Sequence, residues 1–140
     1  MKRDDLPPGT RLVPILSDVD IVEARMEARD LATHVGFSGA DLVMIATAVS
    51  ELARNIIEYA KSGEVTLSVV HGNNSRSGLE VVVRDQGPGI ADIGLAMQDG
   101  YSTSRGLGLG LPGSRRLMDE FYVDSKPGRG TIITMRKWLR

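Results

Sequence analysis

Apolar and polar positions along this chain change period several times, and each change marks an element. Arg11 to Leu16 is a short extended run, and Pro14 inside it has no N–H for a ladder, so the run belongs at a sheet edge. Ile21, Ala24, Ala28, Leu31, Ala32 and Val35 then recur at helical spacing. Asp20 with Glu23 predicts the helix start, and Gly36 its end. Ser38 with Asp41 opens a longer helix whose stripe is Leu42, Ile45, Ala46, Val49, Ala53, Ile56 and Ala60, closed by Gly63. Glu51 and Asn55, one turn apart, share a face roughly opposite that stripe.

Beyond Gly63 the period becomes two. Val65, Leu67 and Val69 alternate in one strand over 64–71, and Leu79, Val81 and Val83 in another over 79–85, with GNNSRSG at 72–78 as the hairpin loop. From Ile90 the pattern is lost: 91–98 reads as a short helical turn and 99–106 as small and polar, a lid whose order depends on a ligand. Leu109 to Glu120 reads as a third helix with Pro112 in its first turn. Strands over 121–125 and 131–138 follow, joined by the turn Lys126–Gly130. The order β-α-α-β-β-lid-α-β-β predicts an α/β fold, a two-layer sandwich in which helices cover one face of a mixed sheet. Residues 1–9, charged and then broken by proline, read as a flexible arm, and 10–140 as a single domain.

Composition narrows the class. With 41% apolar and 25% charged residues and a net charge of −1, the chain reads as a soluble globular domain with no nucleic-acid or membrane surface. The absence of cysteine excludes a disulfide framework and cysteine metal sites and fits a cytoplasmic location. No apolar run approaches the ~18 residues of a membrane span. His34 and His71 lack metal-ligand spacing, and Trp138 is expected to cover the end of the sheet.

The chemistry concentrates between Asp85 and Gly113. Six of the 16 glycines lie at Gly87, Gly89, Gly106, Gly108, Gly110 and Gly113, in two compact motifs. Glycines so placed let backbone N–H groups approach a phosphate tail, and a helix begins just after the second motif. ATP is therefore the expected ligand. GLGLPG at 108–113 matches G-x-G-x-x-G, but the residues before it, Tyr101 to Arg105, are not a strand, which rules out a dinucleotide-binding βαβ unit. No lysine follows the glycines as a Walker A loop requires, and the lysine, catalytic-loop and Asp-Phe-Gly elements of eukaryotic-type protein kinases are missing.

Glu51-x-x-x-Asn55 on a helix, Asp85-x-Gly87-x-Gly89, Gly106-x-Gly108-x-Gly110 and Gly130-Thr131 together resemble the N, G1, G2 and Gly-Thr boxes of the GHKL (Bergerat-fold) ATP-binding superfamily. The match in order and spacing covers roughly residues 38–135. Residues 100–121 look most like the stand-alone, RsbT-type serine/threonine switch kinases of bacterial partner-switching systems, and less like their anti-sigma factors. The resemblance implies the Bergerat fold and ATP with Mg²⁺ as cofactors. It implies that Asp85 accepts a hydrogen bond from the adenine amino group, that Thr131 supports the same pocket, and that Gly87 and Gly89 let the loop pass close to the base. Asn55 would hold Mg²⁺ through its side-chain oxygen, and Gly106, Gly108 and Gly110 would offer backbone N–H groups to the phosphates. Glu51 would take the proton of an attacking hydroxyl, and Arg105 would neutralise charge on the γ-phosphate.

The implied activity is phosphorylation of a serine or threonine on a STAS-domain antagonist protein in a stress-response switch. Once released, the kinase would bind and activate a PP2C-type phosphatase. Two other readings stay open: an anti-sigma factor kinase that sequesters a sigma factor, and a binding module that uses ATP to set its lid and performs no chemistry.

Overall fold

The computed structural model describes residues 8–87 and 111–140. The strands β1 (Thr10–Ile15), β2 (Gly63–His71), β3 (Ser77–Asp85), β4 (Glu120–Lys126) and β5 (Gly130–Trp138) form one sheet in the order β1-β2-β3-β5-β4. Side-chain alternation gives that sheet a dry face: Val13 and Ile15, Val65 and Leu67, Leu79, Val81 and Val83, and Ile133 and Met135 all point to it and are buried. Register aligns them in rows, such as Val13, Val65, Val83 and Ile133 across four strands. The opposite face carries polar pairs, among them Arg136 with Glu80 at 2.7 Å and with Glu120 at 3.1 Å.

The helices α1 (Asp18–Val35), α2 (Ala40–Asn55) and α3 (Leu111–Leu117) supply the second layer, so the two-layer α/β sandwich is as expected. The sheet, expected to be mixed, pairs antiparallel at all four described interfaces. Connection geometry explains this. Ile15 pairs with Gly63, so the chain leaves β1 and, after two helices, re-enters the sheet at the same end. β3 and β4 do run in the same direction, but β5 lies between them. Pro14 sits on the edge strand, where its missing N–H leaves no ladder bond unmade.

Helix boundaries differ from expectation in instructive ways. α1 starts at Asp18 rather than Asp20, because the Asp20 carboxylate reaches back to the N–H groups of Leu16 (2.8 Å) and Ser17 (3.1 Å). The side chain thus caps the turn before it. The α-helical part of α2 ends at Asn55, and a π-helical turn, Ile56–Ala60, carries the chain on to Lys61 at φ +73°. The third helix is α-helical over Leu111–Leu117 and β4 begins at Glu120, where sequence placed the helix end. Trp138 closes the far end of the sheet as expected: its ring lies against Gly72 and Gly78, with the Arg76 guanidinium 5.0 Å from the ring centroid. The Gly9 carbonyl accepts a 2.9 Å bond from Val69 N–H, which ties the last residue of the sequence-read arm to β2. Among the described residues no helix is long and apolar enough to cross a membrane.

Candidate functional site

One row of residues crosses the sheet at the end where β1 stops: Ile15, Gly63, Asp85, Thr131 and Ser125 are successive cross-strand partners. Asp85 continues the alternation of Leu79, Val81 and Val83, and Thr131 that of Ile133 and Met135, so both face the helix-covered side. Asp85 is half-buried and Thr131 is 7% exposed. A carboxylate and a hydroxyl therefore stand side by side at the rim of an apolar core.

Local backbone chemistry fixes both groups. Asp85 Oδ1 accepts the Gly87 N–H at 2.9 Å in an Asx turn, while Oδ2 has no partner among the described residues. Thr131 Oγ1 lies 2.7 Å from Ser125 Oγ, which donates to the Gly130 carbonyl at 3.1 Å, so the threonine hydroxyl donates to the serine and keeps its lone pairs as acceptors. Two glycines are required by close approach. A Cβ on Gly130, whose φ is +87°, would fall 2.2 Å from the Asp85 carbonyl oxygen. A Cβ on Gly87 would fall 2.6 Å from the Ala60 Cβ, at the end of the π-helical turn. That turn thus seats the Asp85-x-Gly87 segment against the chain leaving α2.

Glu51 and Asn55 lie on α2, both half-buried. Asn55 is the last α-helical residue, directly before the turn that Gly87 touches. Glu51, one turn earlier, pairs with Arg54 at 3.1 Å and lines a cleft against α3 with Thr47, Gly113 and Ser114. It does not lie on an open solvent face. α3 is anchored there by Leu111, which is fully buried, and packs on α2. Gly89, Arg105, Gly106, Gly108 and Gly110, together with the expected lid and residues 109–110 of the expected third helix, lie outside the described residues.

The structure therefore unites Asp85, Gly87 and Thr131 at one sheet end and places Glu51 and Asn55 on the helix leading into it. Sequence reasoning missed the contribution of Ser125, Ala60 and Gly63. Ser125 was within reach: the Lys126–Gly130 turn sets the hairpin register that puts Ser125 opposite Thr131. Ala60 and Gly63 matter through close packing: the Ala60 methyl leaves no room for a side chain at Gly87, and a Cβ on Gly63 would meet the Arg84 carbonyl at 2.3 Å.

The donor set suits a nucleotide with its metal. Among the described residues Oδ2 of Asp85 is an unpartnered acceptor at a partly dry site, Gly87 and Gly130 let the Asp85 segment pack closely on its neighbours, and the Asn55 side-chain amide is a neutral oxygen type that Mg²⁺ accepts.

Known proteins resemble this chain in sequence and in fold. The chain is 50% identical over 128 residues to the serine/threonine-protein kinase RsbT of Bacillus subtilis (strain 168), a match covering 91% of this chain and 96% of that protein. It is 32% identical over 102 residues to the anti-sigma F factor of Thermoanaerobacter sp. (strain X514), with 71% of each covered. The crystal structure of the RsbU and RsbW domains of Rv1364c from Mycobacterium tuberculosis shares the fold, with a TM-score of 0.60 and 18% identity. That alignment covers 96% of this chain and 34% of the larger one, so this chain spans about a third of it. Residues 16–137 match the histidine kinase-like ATPase domain, and the chain belongs to that family.

Proposed function

We propose that this chain is an ATP- and Mg²⁺-dependent protein serine/threonine kinase of a bacterial partner switch, acting on a STAS-domain antagonist protein. The observation that carries the reading is the Asp85–Thr131 pair, fixed by the Gly87 N–H and by Ser125 and closed in by Gly130. An acceptor beside a hydroxyl at an apolar rim suits an adenine edge, and the relative at 50% identity bears the name of a serine/threonine-protein kinase.

In this reading Asp85 Oδ2 accepts a hydrogen bond from the exocyclic amine of the base, and Thr131 supports the same edge. Asn55 contributes an oxygen ligand to Mg²⁺, which when bound neutralises phosphate charge. Gly89 keeps the loop close to the base. Gly106, Gly108 and Gly110 present backbone N–H groups to the phosphates, with Arg105 adding positive charge. Glu51 accepts the proton of the substrate hydroxyl as its oxygen bonds to the γ-phosphorus and ADP departs. Phosphorylation of the STAS protein would then release this chain to bind and activate a PP2C-type phosphatase. The anti-sigma F factors at 32% identity keep a second reading in play, in which the same kinase holds a sigma factor.

The test is transfer of label from γ-labelled ATP to purified STAS-domain proteins of the same genome. Wild type should label a serine or threonine, and Glu51→Ala should retain ATP binding but lose transfer by about 10²-fold or more. ATP binding without label on any STAS protein would overturn the kinase reading, and a stable sigma-factor complex would favour the second.

A further inference from the structure

A second groove meets Glu51 from the side opposite α3. It runs between α1 and α2, lined by Arg25, Arg29, Val43, Ser50, Glu51 and Arg54. Three arginines along one groove need a physical reason. Arg25 and Arg29 are one turn apart on the same face of α1, where like charges repel. Neither has a carboxylate three or four residues away, and neither makes an ion pair or side-chain hydrogen bond among the described residues. The acidic residues of α1 that do form ion pairs, Glu27 and Asp30, both bind Arg11 at 2.8 Å. Two exposed, unneutralised guanidiniums are thus held side by side, with Arg54 beside them committed to Glu51.

The surroundings are apolar. Val22 (43% exposed) and Met26 (60%) flank the arginines on α1, and Val43 (57%) stands across from them on α2. A mixed surface of forked cations and exposed aliphatic side chains suits a protein partner, since guanidinium pairs with carboxylate in a planar fork. Nothing in that arrangement offers an aromatic platform for bases.

We propose that the α1–α2 groove docks an acidic segment of the protein substrate, through Arg25 and Arg29, and so brings the reacting hydroxyl to Glu51 in the same groove lining. The proposal rests on the kinase reading for the role of Glu51, while the docking itself depends only on charge and position. Arg25 and Arg29 act as docking residues and touch no reacting atom.

The experiment pairs two measurements on the full chain: initial rates of phosphoryl transfer to a purified STAS-domain protein over a range of its concentration, and anisotropy of that protein, fluorescein-labelled, with a non-hydrolysable ATP analogue present. The double variant Arg25→Ala/Arg29→Ala should raise KM and Kd about tenfold with kcat and ATP affinity unchanged, more at low salt than at high. Arg25→Lys/Arg29→Lys, which keeps the charge but loses the planar fork, should recover only part of the loss. Wild-type KM and Kd in the alanine variant would overturn the groove while leaving the kinase reading intact. Arginine-dependent binding without transfer by wild type would do the reverse. Displacement of the STAS protein by a single-stranded oligonucleotide at equal concentration would overturn the choice of an acidic protein segment.

Discussion

Gly130 is where backbone geometry and the proposed nucleotide site depend on one another most tightly, and Gly130→Ala tests that dependence. Two costs add. The residue sits at φ +87°, where an L side chain costs roughly 1–2 kcal/mol. The new Cβ would also lie 2.2 Å from the Asp85 carbonyl oxygen and 2.9 Å from Gln86 Cα, both backbone atoms with no rotamer to escape into. Relieving such overlap in a packed region costs about 1–3 kcal/mol, for a total of about 2–5 kcal/mol. At roughly 4 °C per kcal/mol for a domain of this size, Tm should fall by about 8–20 °C. Gly128 provides the control: its φ is +78°, but nothing lies within 4 Å of a Cβ there. Gly128→Ala should carry the dihedral cost alone, about 1–2 kcal/mol. Urea unfolding and binding of a fluorescent ATP analogue, run on both variants, separate the two contributions. Gly130→Ala should lose nucleotide affinity as well as stability, because Asp85 must move to make room. Equal losses for the two variants would refute the close approach.

Two further predictions rest on the described packing. Ser114 Oγ is buried with no hydrogen-bond partner among the described residues, so Ser114→Ala should be neutral or stabilising, within about 1 kcal/mol by urea titration, and a larger loss would reveal a partner. The Glu120 carboxyl is held below its ordinary 4.5 chiefly by the Trp138 indole N–H, with further bonds from Tyr122 and Arg136. A depressed carboxyl stabilises the fold above its unfolded value and loses that contribution as pH falls through the folded one. Tm measured from pH 6 down to pH 3 should therefore fall less steeply in Glu120→Gln than in wild type, and parallel curves would count against the pairing.

The legible part of this molecule is the part governed by periodicity. Leu79, Val81 and Val83 announced a strand, and the same alternation carried Asp85 onto the dry face without any tertiary information. Pro14 announced an edge for an equally local reason. Strand direction was not legible, because whether β3 and β4 become neighbours depends on where β5 inserts, and no local pattern encodes that. The π-helical turn at Ile56–Ala60 was also hidden, since the apolar stripe from Leu42 to Ala60 keeps α-helical spacing through it. Glu51 was read on a face roughly opposite the core and found in a cleft, because the neighbour that encloses it, α3, comes sixty residues later in the chain. Resemblance to a known set of boxes marked Asn55, Asp85 and Thr131. Register then supplied Ser125, and close packing supplied Ala60 and Gly63.

Asp85 is proposed to read an adenine amino group at the end of the sheet. The most direct measurement is calorimetric titration of wild type and Asp85→Asn with ATP and with GTP in the presence of Mg²⁺. GTP presents an oxygen acceptor where ATP presents the amine, so it would leave the Asp85 carboxylate facing a like partner. Wild type should prefer ATP over GTP by about 10–100-fold, the factor carried by one hydrogen bond to a charged group. Asp85→Asn should lose most of the ATP affinity and most of that preference. Equal binding of ATP and GTP by wild type, or full ATP affinity in Asp85→Asn, would contradict that role for Asp85.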